Sequence, residues 1–541
     1  ELNYLEAITE DLIFDLTSSS QGLLNVLETG TVKKYKNSEL SLEDLADDIG
    51  VDYIFQSSVK PDANGYHLRY RLFDSNKGKD RFTEKKFIES RNLQSIASVL
   101  VEIIVKELDI ETSDAFTRIE YDSEAYDLYL KSKSVYSLSD NYDDNLEAVE
   151  LMKQAISKDK NLVMAQIYLG QMQYELGYFS EASIIYENAL SRSKSLQDNA
   201  GVAESLRKQG QLLRKNKDYE AALAKFGEAL SISTVMNDKS SMAKTYNSMA
   251  ILNFKTDAKD DALKNWLHAL AIVEEFGDKP KISKYLNNIG IWYWRDDDYS
   301  KSIEYYQKSL LIKRELGDVR NIAKTLNNLG EVYFAMGDYT NSTTQFDESI
   351  EIKDKLKDNK GLNASLYNRG ETYFYSFEYN RAIDDFRRTI RMIEDEGSDH
   401  ERYRYIGMSH FYLSNFDSCN FYLKKSDEFF ANDYRKRLSI LPYLVISYMK
   451  TGDNTLSNTA LKNFKDIISE HDPPKKDYII TNWAAYKALS AVNEKSEAAE
   501  YLENAYFELK SKSKDIKNKK DRNIYLSAKL HENIMNEWSK R

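Results

Sequence analysis

Six histidines, a single cysteine and several runs of adjacent carboxylates carry the side-chain chemistry on which active sites are commonly built. The histidines stand at His67, His268, His400, His410, His471 and His531. No two are four residues apart and no His-Glu-x-x-His occurs, so the helical spacing that sets two imidazoles on one zinc ion is missing. No metal site is expected, and the imidazoles read as surface or half-buried groups. No glycine-rich phosphate loop is present. Gly407-Met-Ser-His-Phe411 sets a serine beside a histidine but lacks the second glycine of a nucleophile elbow, so Ser409 reads as ordinary. Asp296-Asp-Asp298 offers paired carboxylates, but they lie between two helical segments and read as solvated turn acids. Cys419, alone, excludes an internal disulfide framework and a cysteine-based metal cluster. No catalytic residue and no cofactor is expected within the chain.

Several of these residues belong to a larger regularity. Gly170, Gly210, Ala250, Gly290, Gly330 and Gly370 recur at a step of 40 residues. A wholly aromatic column keeps the same step: Tyr186, Phe226, Trp266, Tyr306, Phe346 and Phe386. So do a small column, Ala182, Ala222, Ala262, Ser302, Ser342 and Ala382, and an aspartate column, Asp198, Asp238, Asp278, Asp318 and Asp358. A fixed period of this size marks a stacked-repeat solenoid, and solenoids work by offering an extended concave surface to a partner. Around Gly290, Leu286, Ile289 and Tyr293 have helical spacing and form a first helix, A. Tyr299 opens a second helix, B, with Ser302 at its small position and Tyr306 at its aromatic one. Small residues permit close helix crossing, aromatics fill the space between, and the aspartates suit a turn or an N-cap of the next helix A. Cys419 falls in the small column, which gives it a packing role.

Composition agrees with a long helical array. Prolines number 5 in 541 residues, and an interior proline breaks the helix ladder. The net charge of −12 argues against non-specific nucleic-acid binding, which depends on neutralising phosphates. No run of 18 apolar residues occurs, the longest stretch lying around Leu441–Met449, so no transmembrane span is expected; no signal peptide is visible.

Residues 1–110 read differently. Tyr4–Thr17 has helical spacing, and Leu23–Leu27 reads as a strand. Ser41 starts a capping-box pattern that opens a helix over Leu42–Ile49, stopped by Gly50. Strands are predicted over Val51–Lys60, Tyr66–Phe73 and Asp80–Ile88, with a turn at Pro61–Gly65, followed by a helix from Asn92 to Leu108. The expected organisation is a small α+β domain over 1–110, a linker over 111–122, a regular array over 123–400, degenerate units over 401–518 and a capping helix over 519–541. Lys510–Arg522 reads as a solvated basic segment and Asn523–Trp538 as one final helix.

The spacing of glycine, aromatic and small residues over 123–540 resembles the tetratricopeptide repeat family, whose usual period is about 34 residues. The 40-residue form resembles a longer-helix variant, in about ten units of which the last three are degenerate; Lys158-Asp-Lys-Asn161 lacks the proline that the family often has there. The resemblance implies a mainly α fold, an α-solenoid, joined to the small α+β domain. A second resemblance lies in Leu5–Ile13, Leu45–Val59 and Tyr66–Phe73, which are similar to the TolB-like (FlgO-like) N-terminal domain, although Ser57 stands where that family tends to have glycine. That family places a strand before the first helix, so the resemblance implies sequence upstream of Glu1. The pairing resembles the C-terminal half of bacterial signalling proteins whose heads are class III cyclases, Ser/Thr kinases or winged-helix domains. An envelope assembly adaptor is a further alternative, and a cytoplasmic location is expected ahead of a periplasmic one.

In the tetratricopeptide family helix A lines the groove. Carried over by column, the resemblance implies Lys244, Lys284 and Lys324, then Asn247, Asn287 and Asn327, then Asn288, Asn328 and Asn368, with Trp294, Phe334 and Phe374 further along and Lys255 and Arg295 beside them. Lysines attract carboxylates and asparagine amides both donate and accept, which suits a peptide or protein partner with acidic character, or the protein's own head domain. The asparagines also suit bonding between adjacent helices that holds the units in register, the lysines a solvated face and the aromatics a partial core, and each pair of readings stands open at this level.

Overall fold

The computed structural model describes residues 38–89, 94–110, 121–138, 142–275, 277–392, 396–471 and 478–541, with isolated positions between Thr9 and Tyr35. The expected helix Tyr4–Thr17, strand Leu23–Leu27 and linker 111–122 fall mostly outside these residues. The chain divides into two compact units, Glu1–Asn288 and Ile289–Arg541.

The first unit opens on α1 (Leu42–Ile49), where the Ser41 hydroxyl accepts the Asp44 N–H at 3.1 Å and Gly50, at φ 76°, ends the helix. Strands β1 (Tyr53–Asp62), β2 (Gly65–Asp74) and β3 (Lys79–Ile88) form an antiparallel sheet in that order. The turn is shorter than the sequence suggests. Pairing continues through Pro61, opposite Tyr66, to Asp62, because β1 is an edge strand, where a proline is tolerated. Alternation on β2 puts Leu68 and Tyr70 on one face, where they pack with Ile96, Leu100 and Ile104 of α2 (Gln94–Glu107).

From Ser123 onward the described residues are helical pairs. The first unit holds α3 (Ser123–Leu138), α4 (Tyr142–Lys158), α5 (Val163–Glu175), α6 (Phe179–Ser195), α7 (Asn199–Lys215), α8 (Tyr219–Val235), α9 (Lys239–Lys255) and α10 (Lys259–Glu275). The unit boundary falls inside α11 (Lys279–Arg295). The second unit continues with α12 (Tyr299–Glu315), α13 (Val319–Met336), α14 (Tyr339–Lys355), α15 (Asn359–Tyr375), α16 (Tyr379–Ile390), α17 (Glu396–Tyr412) and α18 (Phe416–Phe429). Then come α19 (Tyr434–Thr451), α20 (Asn454–Glu470), α21 (Tyr478–Ala491), α22 (Lys495–Asp515), α23 (Lys519–Ser527) and α24 (Lys529–Trp538). Pro442 stands inside α19, against the expectation that helix interiors exclude proline.

The 40-residue columns have direct physical causes. A methyl group on Gly210 or Gly330 would lie 2.6 Å from the ring of Phe226 or Phe346, and one on Gly290 2.9 Å from Tyr306. Helix A is therefore bare where the ring of helix B presses on it. In the small column, the Ser302 and Ser342 hydroxyls donate to the carbonyls of Gly290 and Gly330 at 2.8 and 2.9 Å, satisfying a buried hydroxyl without spending space. Cys419 fills the same column in its own repeat; it is fully buried, and burial pushes its thiol up to about 12. The aspartate column caps helix A: Asp198, Asp238, Asp278, Asp318 and Asp358 each accept the N–H three residues on, at 2.9–3.3 Å. Asp218, Asp298 and Asp338 cap helix B in the same way. Asp298 is only 9% exposed, so it is a buried cap and not the solvated turn acid its sequence suggests.

The C-terminus also departs from expectation. Asn523–Trp538 is not one helix: Ala528, at φ −58° and ψ 134°, separates α23 from α24. Within the basic segment Lys510–Arg522, Ser513, Ile516 and Asp521 are buried, so it is not uniformly solvated.

The packing predicts opposite outcomes for two glycines. Gly330→Ala forces a methyl into the fully buried Phe346 ring and is expected to destabilise by about 1–3 kcal/mol. Gly227→Ala, in α8 with nothing within 4 Å of the added methyl, is expected to stabilise by about 0.5–1 kcal/mol. Urea unfolding of the two variants measures both.

Candidate peptide-binding face

Helix A carries the residues selected from sequence, and the structure places them in two groups, one in each unit. In residues 1–288, Asn247 is buried on α9, and its amide oxygen accepts the Trp266 indole N–H from α10 and the Asn288 amide from α11, both at 3.1 Å. Asn247 and Asn288 therefore form one rung across adjacent repeats. Asn287 and Lys244 are half-buried and Lys284 is exposed. On α7 the same columns hold Glu204, Arg207 and Lys208. Glu204 accepts from Arg207 Nε at 2.9 Å and lies 3.8 Å from Lys208 Nζ, which donates to Gln171 of α5 at 2.6 Å. Burial raises the Glu204 pKa, but the charges of Arg207 and Lys208 outweigh it and hold the carboxyl well below its usual range. Burial, with Arg207 and Lys244 nearby, pushes Lys208 down to about 8.

In residues 289–541, Asn327 and Asn368 both donate to Glu331 Oε1, at 2.8 and 3.0 Å. The Asn327 amide oxygen accepts from Ser365 at 2.7 Å, and Ser365 accepts from Lys353 Nζ at 2.6 Å. Burial raises the Glu331 pKa and the two amide donors oppose the rise. One polar chain thus joins α13, α14 and α15. Asn328 is half-buried and makes no side-chain hydrogen bond among the described residues, and Lys324 is exposed. Lys324, Asn328 and Glu331 follow one another at i, i+4 and i+7 along one face of α13. Phe374 is 2% exposed and packs against Tyr379 and Tyr405, so it belongs to the core. Phe334 is half-buried against Tyr339 and Tyr375, Trp294 is packed on the same core, and Arg295 is exposed.

The asparagine columns therefore make inter-helix bonds at Asn247, Asn288, Asn327 and Asn368. Sequence reasoning passed over Glu204, Arg207, Lys208 and Glu331 because it followed columns in which one residue type recurs. Stepping back 40 residues from Lys244, Asn247 and Ser248 reaches the first three, whatever their type. Two buried lysines were also missed. Lys313 Nζ donates to Thr325 Oγ1 at 2.7 Å, as Lys353 does to Ser365, and burial pushes both down to about 8. Among the described residues no group of histidine, cysteine, aspartate and glutamate could hold a metal, and no helix is long and apolar enough to cross a membrane.

Comparison with known proteins agrees with this architecture. A tetratricopeptide repeat family model matches residues 241–315 and 321–395. A putative adenylate cyclase 3 from Rhizobium meliloti (strain 1021) is 27% identical over 174 residues, 31% of this chain and 29% of that protein, so the match spans under a third of the curated relative. Among solved structures, a signal-transduction ATPase with numerous domains and a tetratricopeptide repeat sensor, from Pyrococcus horikoshii, aligns with a TM-score of 0.52 and 14% identity, over 93% of this chain and 67% of that one. A Rap protein complexed with competence and sporulation factor aligns over 65% of this chain and 99% of that one, at a TM-score of 0.42 and 12% identity.

The buried lysines predict a pH dependence. Each has a folded pKa near 8 against an ordinary 10.5, so between those values the unfolded state binds more protons and stability rises with pH. Above about pH 10 the buried tyrosines, whose pKa values burial raises, oppose the gain. Stability is expected to climb between pH 8 and 10 by on the order of 2 kcal/mol per lysine. Lys313→Met with Lys353→Met should remove their share of the climb, leaving that of Lys208, and lose little at pH 7, as read by urea midpoints across that range.

Proposed function

We propose, from the premise that residues 241–315 and 321–395 are tetratricopeptide repeats, that this chain is a non-catalytic arm that binds an extended peptide or protein segment on its helix A faces and regulates a larger signalling protein. Tetratricopeptide repeats are a protein-interaction scaffold, and that much is general to the architecture. One observation carries the specific reading. On α13 a cation, an amide and a carboxylate follow one another on one face at Lys324, Asn328 and Glu331, and the middle amide has no hydrogen-bond partner among the described residues. A half-buried amide without a partner gains most from one supplied by a ligand backbone. Lys324 beside it favours an acidic side chain on the partner.

The signalling context rests on the similarity to the putative adenylate cyclase and on the TolB-like resemblance of the first 110 residues. The cyclase match covers under a third of each protein, so no catalysis is assigned to this chain. A cyclase assay on the product of the complete reading frame tests the context: activity that changes on Asn328→Ala supports a regulatory arm, and the absence of any cyclase head or activity removes it.

Binding is tested separately. The chain is titrated with a panel of labelled acidic and neutral decapeptides by fluorescence anisotropy. Acidic peptides are expected to bind more tightly, and Asn328→Ala is expected to weaken them about tenfold with unchanged circular dichroism, since it breaks no bond between helices. Equal affinity in the variant, or a panel without a binder, sinks the assignment.

A further inference from the structure

Residues 516–529 lie against the second unit's own repeats, far earlier in the chain: Ser300 stands 221 positions before its partner Asp521, and Phe377 well over 100 positions before Lys529. Lys517 N–H donates to the Asp297 carbonyl at 3.2 Å, and its ammonium lies 3.8 Å from Asp296. Asp521, 3% exposed, accepts the Ser300 N–H at 2.8 Å and the Ser300 hydroxyl at 2.7 Å through one oxygen. Ser300 is in the first turn of α12, where backbone N–H groups have no partner within the helix. Asp298 satisfies one of them through Lys301, and Asp521 reaches in from the far end of the chain to satisfy another.

The same segment meets the next two turns that join a helix A to its helix B, in order. At Gly337 an added methyl would lie 3.0 Å from Ala528 Cβ and 3.5 Å from Tyr525 Cα. At Phe377 the Lys529 ammonium sits 4.7 Å from the ring centroid. Phe377 has φ 70°, a left-handed conformation that is strained for a bulky side chain and persists where surroundings hold it. Its ring stacks with Tyr379 and Tyr412, so the strained residue is held on both sides. Ile516 and Ala528 are extended breaks that let the segment step from turn to turn, and Ile516 and Tyr525 are buried anchors.

We propose that Ile516–Lys529 is a clasp: it ties together the three successive turns that join a helix A to its helix B, at Asp296–Tyr299, Gly337–Tyr339 and Phe377–Tyr379, and so fixes the spacing of the helix A rungs between them. In an open solenoid each repeat touches only its neighbours, and neighbouring pairs rock independently. The Asp521–Ser300 bond joins residues 221 positions apart, so loosening at one turn is passed to the others. Release of the clasp widens the rung of Asn327, Glu331 and Asn368, which makes the segment a control point for whatever that face binds.

Hydrogen–deuterium exchange on the full chain tests this. Asp521→Ala touches only the α12 turn directly. A clasp predicts that exchange rises at least about threefold at all three turns together, including Phe377–Tyr379, while amides of α9 and α10 keep their rates. A rise confined to residues 299–302, or no rise, overturns the proposal, since a local cap accounts for it. If Asp521→Ala proves unfolded by circular dichroism, Lys517→Ala with Lys529→Ala decides by the same criterion. Both lysines are exposed, and their loss should raise exchange at the middle turn around Gly337, which neither touches.

Discussion

Five of the six regular repeats of this protein are built around one contact, an aromatic ring of helix B lying on the bare backbone of helix A. The ring can approach only because the facing residue has no side chain, and at 0–1% exposure the rings have no room to retreat. That distance sets the crossing of the two helices, which in turn requires a small residue four before the ring and lets a serine there reach the glycine carbonyl. The repeat at Ala250 solves the same problem differently. Its ring is Trp266, whose indole N–H is turned to Asn247, so the larger aromatic is oriented by a hydrogen bond. A residue that first reads as a ligand contact is there because of its neighbour's ring.

The turns between helices obey a second constraint. From Gln197 to Phe377 one residue in every 20 takes a positive φ, and only Gly277, Gly317 and Gly337 of these are glycines. Elsewhere Lys217, Asn237, Lys357 and others hold the left-handed conformation, at about 1 kcal/mol or more each. At eight of these ten turns an aspartate cap follows directly and contributes a similar amount, about 1 kcal/mol per helix, which offsets that strain; Ala258 follows Asp257, and Glu378, which follows Phe377, makes no side-chain cap bond. Turn and cap form one device: the left-handed residue redirects the chain so that the next carboxylate meets the free N–H groups of the new helix.

The architecture was legible in the sequence because each column is set by nearest-neighbour packing, which repeats as faithfully as the sequence does. Gly330 with Phe346, Ser342 with Gly330 and Asp318 with Asn321 are all local to one or two helices. The candidate face was only half legible. Its proposed positions follow from the repeat columns, but hydrogen-bond commitments depend on which residue the next repeat places opposite. Asn368 and Asn328 look alike in sequence, yet one is bonded to Glu331 and the other to nothing among the described residues. The C-terminal contacts were not legible at all, since Asp521 and Ser300 share no period or motif and meet only through the accumulated rotation of the intervening repeats.

That last contact bears on how such a protein can change over generations. Repeat arrays lengthen and shorten by duplication or loss of whole units, and an array whose ends are free tolerates either at little cost. Here the register between Ser300 and Asp521 is closed by a carboxylate that fits one helix end. Adding or deleting a 40-residue unit anywhere between them would carry Asp521 past its partner by a full repeat. The second unit is thus locked in copy number, and variation by whole repeats is left to the stretch that lies ahead of residue 296.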